Sequence, residues 1–573
     1  MKLKLSHDAR IIYKQILKEV LSRIQLEDSK KYLDNFYPAV DRDEIIKRQK
    51  YFEENFKKVD GLKNYLSKIR KIEFKLKYFP DRTLFVDKEN YEKALKMGVC
   101  KVEKSYDNYL VIGRNRFDLD KVEPHLIVPE CYVLTLLENK EILESLSVIS
   151  ERIKGESIAP KILNELKKIE EVFSKKRKVE ELDEIVLRKK EELNKRIEEI
   201  VKEYTLTLSG QEFLELISGL KSGYKMPEKF RKIEGLILDE ISKCEAELYD
   251  VFGYPIEIFS KETIYPVEID LKKLELIKKQ IEEDISIEMY KKSREIIEKI
   301  YPFIEELKRE LDLAFEIEFI RAVKEMCNNF SFPALVNNGL AFINGRHLFI
   351  KDPQPISYVV GEVREVNFEG TKGERVVILT GANSGGKTSL LELIAQIQIL
   401  GQMGFPVNAE KAWITPVEEL FFFKRKRSIY GAGAFESLLK SFAKAIAGNG
   451  TKLILIDEFE AVTEPGAAVK LIAEFLKIMH EKNYLVVIVT HLGGELMKLV
   501  DFARVDGIEA SGLDEKFNLI VDRQPKFGIL GRSTPELIVE RLYRKSRGKN
   551  KEIFERLLLA FKKEGCKVEN AKM

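Results

Sequence analysis

The sequence predicts a mixed α and α/β protein: long helical arms carry a small domain at their tip, and a parallel α/β domain and a C-terminal helical segment follow. Three observations predict it. Two charged segments, 160–204 and 271–325, hold apolar residues at steps of three, four or seven, which is the narrow seam of a long helix. The stretch 205–270 lies between them, so one helix goes out and the other returns. From residue 331 onward Gly and Ala increase and short apolar runs alternate with amphipathic ones, as they do where helices cover a parallel sheet.

Length and charge bound what else the chain can be. At ~150 residues per domain, 573 residues allow about four units and exclude a small stapled scaffold. The 98 Lys and Arg nearly cancel the 95 Asp and Glu, leaving a net charge of +3. Contact with nucleic acid must therefore come from local basic clusters and not from an overall field. Cys100, Cys131, Cys244, Cys327 and Cys566 lie far apart without C-x-x-C or zinc-ligand spacing. An odd, scattered set suits a reducing compartment. The N-terminus MKLKLSHDARIIYKQILKEV lacks the apolar core of a signal peptide, and nowhere do 18 apolar residues run together. The expected location is cytoplasmic, with no membrane partner.

The first element is a helical core segment, 1–81, with Ile11, Ile12, Ile16, Val20 and Ile24 at helical spacing and Tyr37-Pro38 and Phe79-Pro80 as punctuation. A small α/β insert follows at 82–130, where TLFVD (83–87), YLVIGR (109–114) and HLIVP (125–129) read as short strands. Outgoing lever helices occupy 131–204, with Val172, Val179, Leu182, Val186, Leu193, Ile197, Ile200 and Tyr204 on one seam. The returning helix, 271–330, carries Leu274, Ile277, Ile281, Ile285, Ile296, Ile300, Ile304, Leu307 and Leu311, and Pro302 should kink it. In the tip, 205–270, the run KSGYKMPEKFRK (221–232) sets Lys221, Lys225, Lys229, Arg231 and Lys232 against Glu228, with Tyr224 and Phe230 interleaved. Positive charge with aromatic faces suits phosphate contact and base stacking. The bland alternative is a solvated loop of surface lysines.

The α/β domain, 331–535, holds the chemistry. The strand RVVILT (375–380) runs directly into Gly381, Ala382, Asn383, Ser384, Gly385, Gly386, Lys387, Thr388 and Ser389, and then into an amphipathic helix. This is G-x-x-x-x-G-K-[ST] in the strand-to-helix setting that a phosphate-binding loop requires. Glycines let backbone N–H groups converge on phosphate oxygens, the helix N-terminus adds favourable polarity, Lys387 can reach the β and γ phosphates, and Thr388 can hold a metal ion. ATP and Mg²⁺ are the expected cofactors. KLILIDE (452–458) is an apolar strand ending in Asp457, a second candidate for Mg²⁺, and Glu458, which can orient or deprotonate an attacking water. YLVVIVTH (484–491) ends in Thr490-His491 at the same sheet edge, where a polar group can sense the γ-phosphate, although a lone histidine is as readily structural. No Ser-His-Asp set, zinc cluster or nuclease carboxylate set emerges from the sequence.

In this order the motifs resemble the MutS family. GANSGGKTS (381–389) is similar to its phosphate loop, QMGFPVNA (402–409) to the segment after the first ATPase helix, and NGRH (344–347) to its Arg-His-Pro element, with Leu348 where Pro is usual. DEFEAVTEPGAA (457–468) resembles the form found in the shorter MutS-like proteins, and TH (490–491) and GRSTPELIVERL (531–542) complete the series. The likeness is firm over 335–545; RQKYFEE (48–54) and LDLAFEIEFIRAVKEM (311–326) extend it into the core, lever and clamp regions. It implies an ABC-type P-loop ATPase, a homodimer closed around double-stranded DNA with 205–270 as the clamp, and a C-terminal helical dimerisation element at 536–573.

Several departures shape the expectation. The helical core begins near the N-terminus, which leaves no room for the mismatch-recognition and connector domains; Phe52-Glu53-Glu54 fits Phe-x-Glu only by coincidence, inside a helix. The family's Gly-x-Ser-Thr-Phe signature is GAGAF (431–435), so Gly433 and Ala434 replace both hydroxyls while Phe435 remains, and hydrolysis should be slow. The chain ends at 573 without space for an appended nuclease-like domain, so endonuclease activity is not expected. FKRKRS (423–428) adds a second basic cluster. The leading expectation is an ATP-dependent dimeric clamp for branched or structured DNA, such as a repair or recombination intermediate. The rivals are a translation- or RNA-associated ATPase and a non-hydrolysing, nucleotide-gated scaffold.

Overall fold

Leu3 and Leu5 are buried and alternate with exposed lysines, a period of two that already specifies a strand. Residues Lys4–Leu5 form that strand, β1. The computed structural model describes Met1 to Glu569 except residues 204–206, 223–227, 261–264, 382–385, 425–431, 459–464, 514–518 and 532–534. The chain divides into two units, Met1–Ser67 with Leu313–Met573, and Lys68–Asp312.

After β1, helix His7–Leu21 buries Ala9, Ile12, Ile16 and Val20 at steps of three and four, while Ile11, expected on that seam, is exposed. Helix Arg42–Phe56 starts where the Asp41 side chain accepts the Glu44 amide, a capping bond that satisfies one orphan donor. Phe52 is wholly buried against Phe36, Phe319 and Phe405. Its place inside an aromatic cluster gives this phenylalanine a packing role.

In the second unit, β2 (Arg82–Val86), β3 (Lys101–Lys104), β4 (Tyr109–Ile112) and β5 (Asn115–Asp118) make a sheet of order β3-β2-β4-β5. The first pair is parallel, which requires the crossover helix Tyr91–Met97; the others are antiparallel. HLIVP is not a strand. Pro124 opens a helical turn and Pro129 opens the helix Pro129–Glu138, each ring having the φ of a first helical turn and no N–H to donate to a ladder. Inside the sheet Arg82 donates to both Glu130 carboxylate oxygens at 2.5 and 3.0 Å, with neither side chain reaching solvent.

The outgoing segment is several helices instead of one: Ala159–Leu166, a 3-10 turn, Glu170–Glu180 and Leu182–Glu203. Val172, Val179, Leu182, Val186, Leu193 and Ile197 are buried as the seam requires. The returning segment runs Leu271–Ile300, breaks at the 3-10 turn Tyr301–Phe303 around Pro302, and resumes over Ile304–Met326. The tip differs most from expectation. Its helix Glu228–Phe252 is as long as an arm and pairs with Leu182–Glu203 through Lys189 and Arg196, both bonded to Glu247. Apolar Ile237, Ile241, Cys244 and Leu248 recur on its buried side, a seam the sequence carried in plain view.

The rest of the first unit begins with β6 (Ala334–Leu335), β7 (Asn338–Gly345) and β8 (Ile356–Glu362), then β9 (Val376–Gly381), β10 (Lys411–Ile414), β11 (Glu419–Phe423), β12 (Lys452–Asp457), β13 (Leu485–Val489) and β14 (Arg504–Ile508). A hairpin, β15 (Ala510–Leu513) and β16 (Leu519–Val521), follows. Six strands form an all-parallel sheet of order β1-β11-β12-β13-β9-β14, and β6-β10-β7-β8 form a second sheet. Strands β9, β12 and β13 are buried along their whole length, hence their unbroken apolar runs. The chain divides after Ser67 and not at 81, and the first 67 residues join the C-terminal part of the chain, β1 pairing with β11. Lys4 N donates to Glu418 O at 2.9 Å, and Ser6 N to Leu420 O at 3.0 Å.

Candidate nucleotide site

The parallel order brings the carboxyl ends of β9, β12 and β13 together, and with them the residues singled out by the sequence. Gly381 ends β9 at φ 120°, and a Cβ there would stand 2.0 Å from Ile508 O. Only glycine fits so close to a neighbouring strand. Gly386 (φ 86°) precedes the helix Lys387–Met403. Lys387 is buried and donates from Nζ to Gly381 O at 2.7 Å, so its ammonium lies back across the loop. Ala382, Asn383, Ser384 and Gly385 fall outside the described residues.

Thr388 Oγ1 donates to Asp457 Oδ2 at 2.9 Å. Asp457 is buried, and its other oxygen, Oδ1, has no hydrogen-bond partner among the described residues. Burial raises its carboxyl above the usual range, and the Glu458 charge adds to this; the Thr388 bond and the charges of Lys424 and Lys387 oppose it. An acid in this state, with one oxygen unpaired beside a hydroxyl, fits the donor set a magnesium ion takes from a P-loop protein. Glu458 follows in the left-handed region at φ 49° and donates its amide to Val489 O at 3.0 Å. Its Oε1 lies 3.3 Å from His491 Nε2. Thr490 is wholly buried; its hydroxyl accepts the Leu492 amide at 3.0 Å, so it shapes the turn that sets His491 at the sheet edge.

A polar file behind these groups joins His347 of NGRH and Lys424 of FKRKRS, which the sequence reading singled out separately, through Glu392, which it did not. Glu392 lies four residues after Thr388, on the same helix face. It accepts Lys424 Nζ at 2.6 Å and His347 Nε2 at 3.0 Å. Burial pushes its carboxyl up, but those two bonds outweigh it and hold the group below the ordinary range. His347 Nδ1 accepts the Phe349 amide, and its Nε2 faces both Glu392 and the Gln396 side-chain amide. Leu348, where the resembled element has Pro, donates its amide to Gln396 Oε1 at 3.0 Å, a bond proline cannot make. Thr380 Oγ1 accepts Gly531 N and donates to Asp506 O, tying the segment after β14 to the strand that feeds the loop. Arg523 lies against Gly386, its Cδ 3.6 Å from where a Cβ would be. The i, i+4 spacing from Thr388 was the one available signal for Glu392; long-range contacts brought the others.

Of the basic candidates, Arg231 and Lys232 are exposed on helix Glu228–Phe252. Lys221 and Lys229 lie in the helices Gly210–Ser222 and Glu228–Phe252. Lys225 lies outside the described residues, as do 425–428 of the second cluster. Gly433 and Ala434 fall in helix Ala432–Ile446. No described helix is long and apolar enough to cross a membrane.

No protein-family model matches the chain. It is 50% identical over 569 residues to the DNA-binding protein MutS2 of Pyrococcus furiosus, which spans 98% of this chain and 100% of that one. The chain belongs to the MutS family. The endonuclease MutS2 of Lactococcus lactis subsp. cremoris is 27% identical over 205 residues, 35% of this chain and 25% of that protein. The DNA mismatch repair protein MutS of Thermodesulfovibrio yellowstonii is 24% identical over 385 residues, 57% of this chain and 44% of its own. A MutS-family chain whose likeness to a MutS2 runs end to end agrees with the absence of a mismatch-recognition domain inferred from the sequence.

Proposed function

We propose that this MutS-family protein is an ATP-dependent, dimeric DNA clamp that recognises branched or structured DNA and hydrolyses ATP slowly. The observation that carries the ATPase part is the bond from Thr388 to buried Asp457, whose other carboxylate oxygen is unpaired among the described residues, beside Lys387 and Glu458. Residues 381–389 would cradle the phosphates, Lys387 would turn from Gly381 O to the β and γ phosphates, and Thr388 and Asp457 would hold Mg²⁺. When bound, the metal supplies charge neutralisation on the phosphate oxygens. Glu458 would take the proton of the attacking water, with His491, 3.3 Å away, orienting it. Slow turnover follows from GAGAF, which has no hydroxyl to offer a neighbouring nucleotide.

DNA binding is supported by the name of the end-to-end relative and by the basic run at 221–232. A clamp that contacts phosphates without a base-reading wedge reads backbone geometry, so branched substrates should be preferred to mispairs. The endonuclease relatives match over only a quarter of their length, and strand cleavage is not assigned to this chain. Glu458→Gln should retain ATP binding and lower turnover by about 10² to 10⁴-fold, measured by phosphate release and nucleotide retention. Unchanged turnover would refute the assignment. Affinities for four-way junction, mismatched duplex and perfect duplex, with and without ATP at stated salt, test the DNA part. A junction bound no more tightly than perfect duplex would overturn it.

A further inference from the structure

The small sheet β2–β5 has no task in that function. Alternation turns Leu84, Val86, Leu110 and Ile112 inward, where they form a core with Tyr290 of helix Leu271–Ile300. Phe85, Tyr109 and Arg116 therefore stand on the opposite face. Phe85 and Tyr109 are cross-strand partners with rings stacked at 4.7 Å and 10°, and the Arg116 guanidinium lies 3.9 Å over Tyr109. The three make a file across β2, β4 and β5, ending in a guanidinium open to solvent. In the turn between β3 and β4, three residues before Tyr109, Tyr106 is 100% exposed. The turn is pinned: Ser105 N donates to Val86 O at 2.8 Å, and Asp87 and Asn108 exchange bonds of 3.0 and 2.9 Å. A rigid turn thus holds a large aromatic ring in water, where it gains no packing.

The face carries little free charge. Lys101 pairs with Glu103 at 2.6 Å, and Arg116 with Asp118 at 2.8 Å. Its attraction for a phosphate backbone is correspondingly small, while its stacking surfaces are open. Duplex DNA keeps its bases inside and offers such a face nothing. Unpaired bases stack on aromatic rings and on guanidinium planes.

We infer that the outer face of β2–β5 binds single-stranded DNA, with unpaired bases stacked on Tyr106 and on the Arg116–Tyr109–Phe85 file. The site rests on the DNA-binding function proposed above and gives it a reader for the unpaired bases of a branched substrate. The test is fluorescence anisotropy of labelled dT20 and of a duplex of equal length, over a salt series, with the full chain. Tyr106→Ala alters a residue with no packing to lose; Tyr106→Ala with Arg116→Ala removes both open stacking surfaces. The double variant should lose about tenfold in dT20 affinity, from the stacking lost, with duplex affinity and the slope against salt unchanged. Tyr106→Phe should bind as the parent does. A dT20 affinity within twofold of the parent, or an equal loss on the duplex, overturns the inference while the clamp stands. A parent that binds neither oligonucleotide overturns both.

Discussion

Asp457 sits among apolar strands with one oxygen bonded to Thr388 and the other without a donor among the described residues, and burial raises its pKa. A carboxyl whose folded pKa is raised contributes stability that is present below its unfolded value and lost as pH rises through the folded one. At neutral pH its charge therefore works against the fold. Asp457→Asn should raise the melting temperature of the ligand-free protein by about 2 °C and, if the proposed site is right, should remove the further rise expected of the parent with Mg²⁺ and ATP. Calorimetry with and without ligand measures both; a less stable ligand-free variant would contradict the account. Glu392 has the opposite sign. Its pKa is held down by His347 and Lys424, so its contribution is present above the unfolded value and is lost as pH falls through the folded one.

Among elements, the helix Lys387–Met403 is unusual in burying Gln396, Gln398 and Gln402 completely. Gln402 donates to Ala39 O and Val417 O at 2.7 and 2.9 Å, and accepts from Gln398 and from Val417 N. Gln402→Ala strands these partners, and we expect about 3 kcal/mol of destabilisation, read from denaturant unfolding. A loss below about 1 kcal/mol would show that water or side-chain movement replaces the bonds. These glutamines also mark where the sequence stopped being legible. Strands β9, β12 and β13 declare themselves through local pattern, because a buried strand is built from neighbours in the chain, and the same pattern marks the candidate loop and Asp457-Glu458 at their ends. The junction of Ala39 with Gln402, the pairing of β1 with β11 and the bond between Glu392 and Lys424 join residues far apart, and no local period records them. HLIVP misled for a related reason: apolar runs of that length suit strand and helix alike, and the prolines decided.

For the whole molecule, the C-terminal helices Pro535–Lys545 and Lys549–Glu569 pack on each other and still expose Ile538, Leu542, Ile553, Leu557 and Leu559. An apolar stripe left open on a helical pair suits a second copy. Ile553→Glu with Leu557→Glu should convert a dimer into a monomer in light scattering and leave ATP binding by each chain intact. A parent that is already monomeric at micromolar concentration would remove the dimer from the proposed function.

Strand β1 has a consequence in time. Lys4 meets Glu419, a separation of 415 residues. At ~5–20 residues per second, a ribosome needs roughly 20 to 80 s to supply the partner of the first strand. Residues 68–312, a contiguous unit, can collapse while the N-terminus waits. The opening strand is kept in solution over that interval by the lysines at positions 2 and 4, which flank its leucines and discourage pairing with another chain. The edge of the parallel sheet is therefore closed by a strand made 415 residues ahead of its partner.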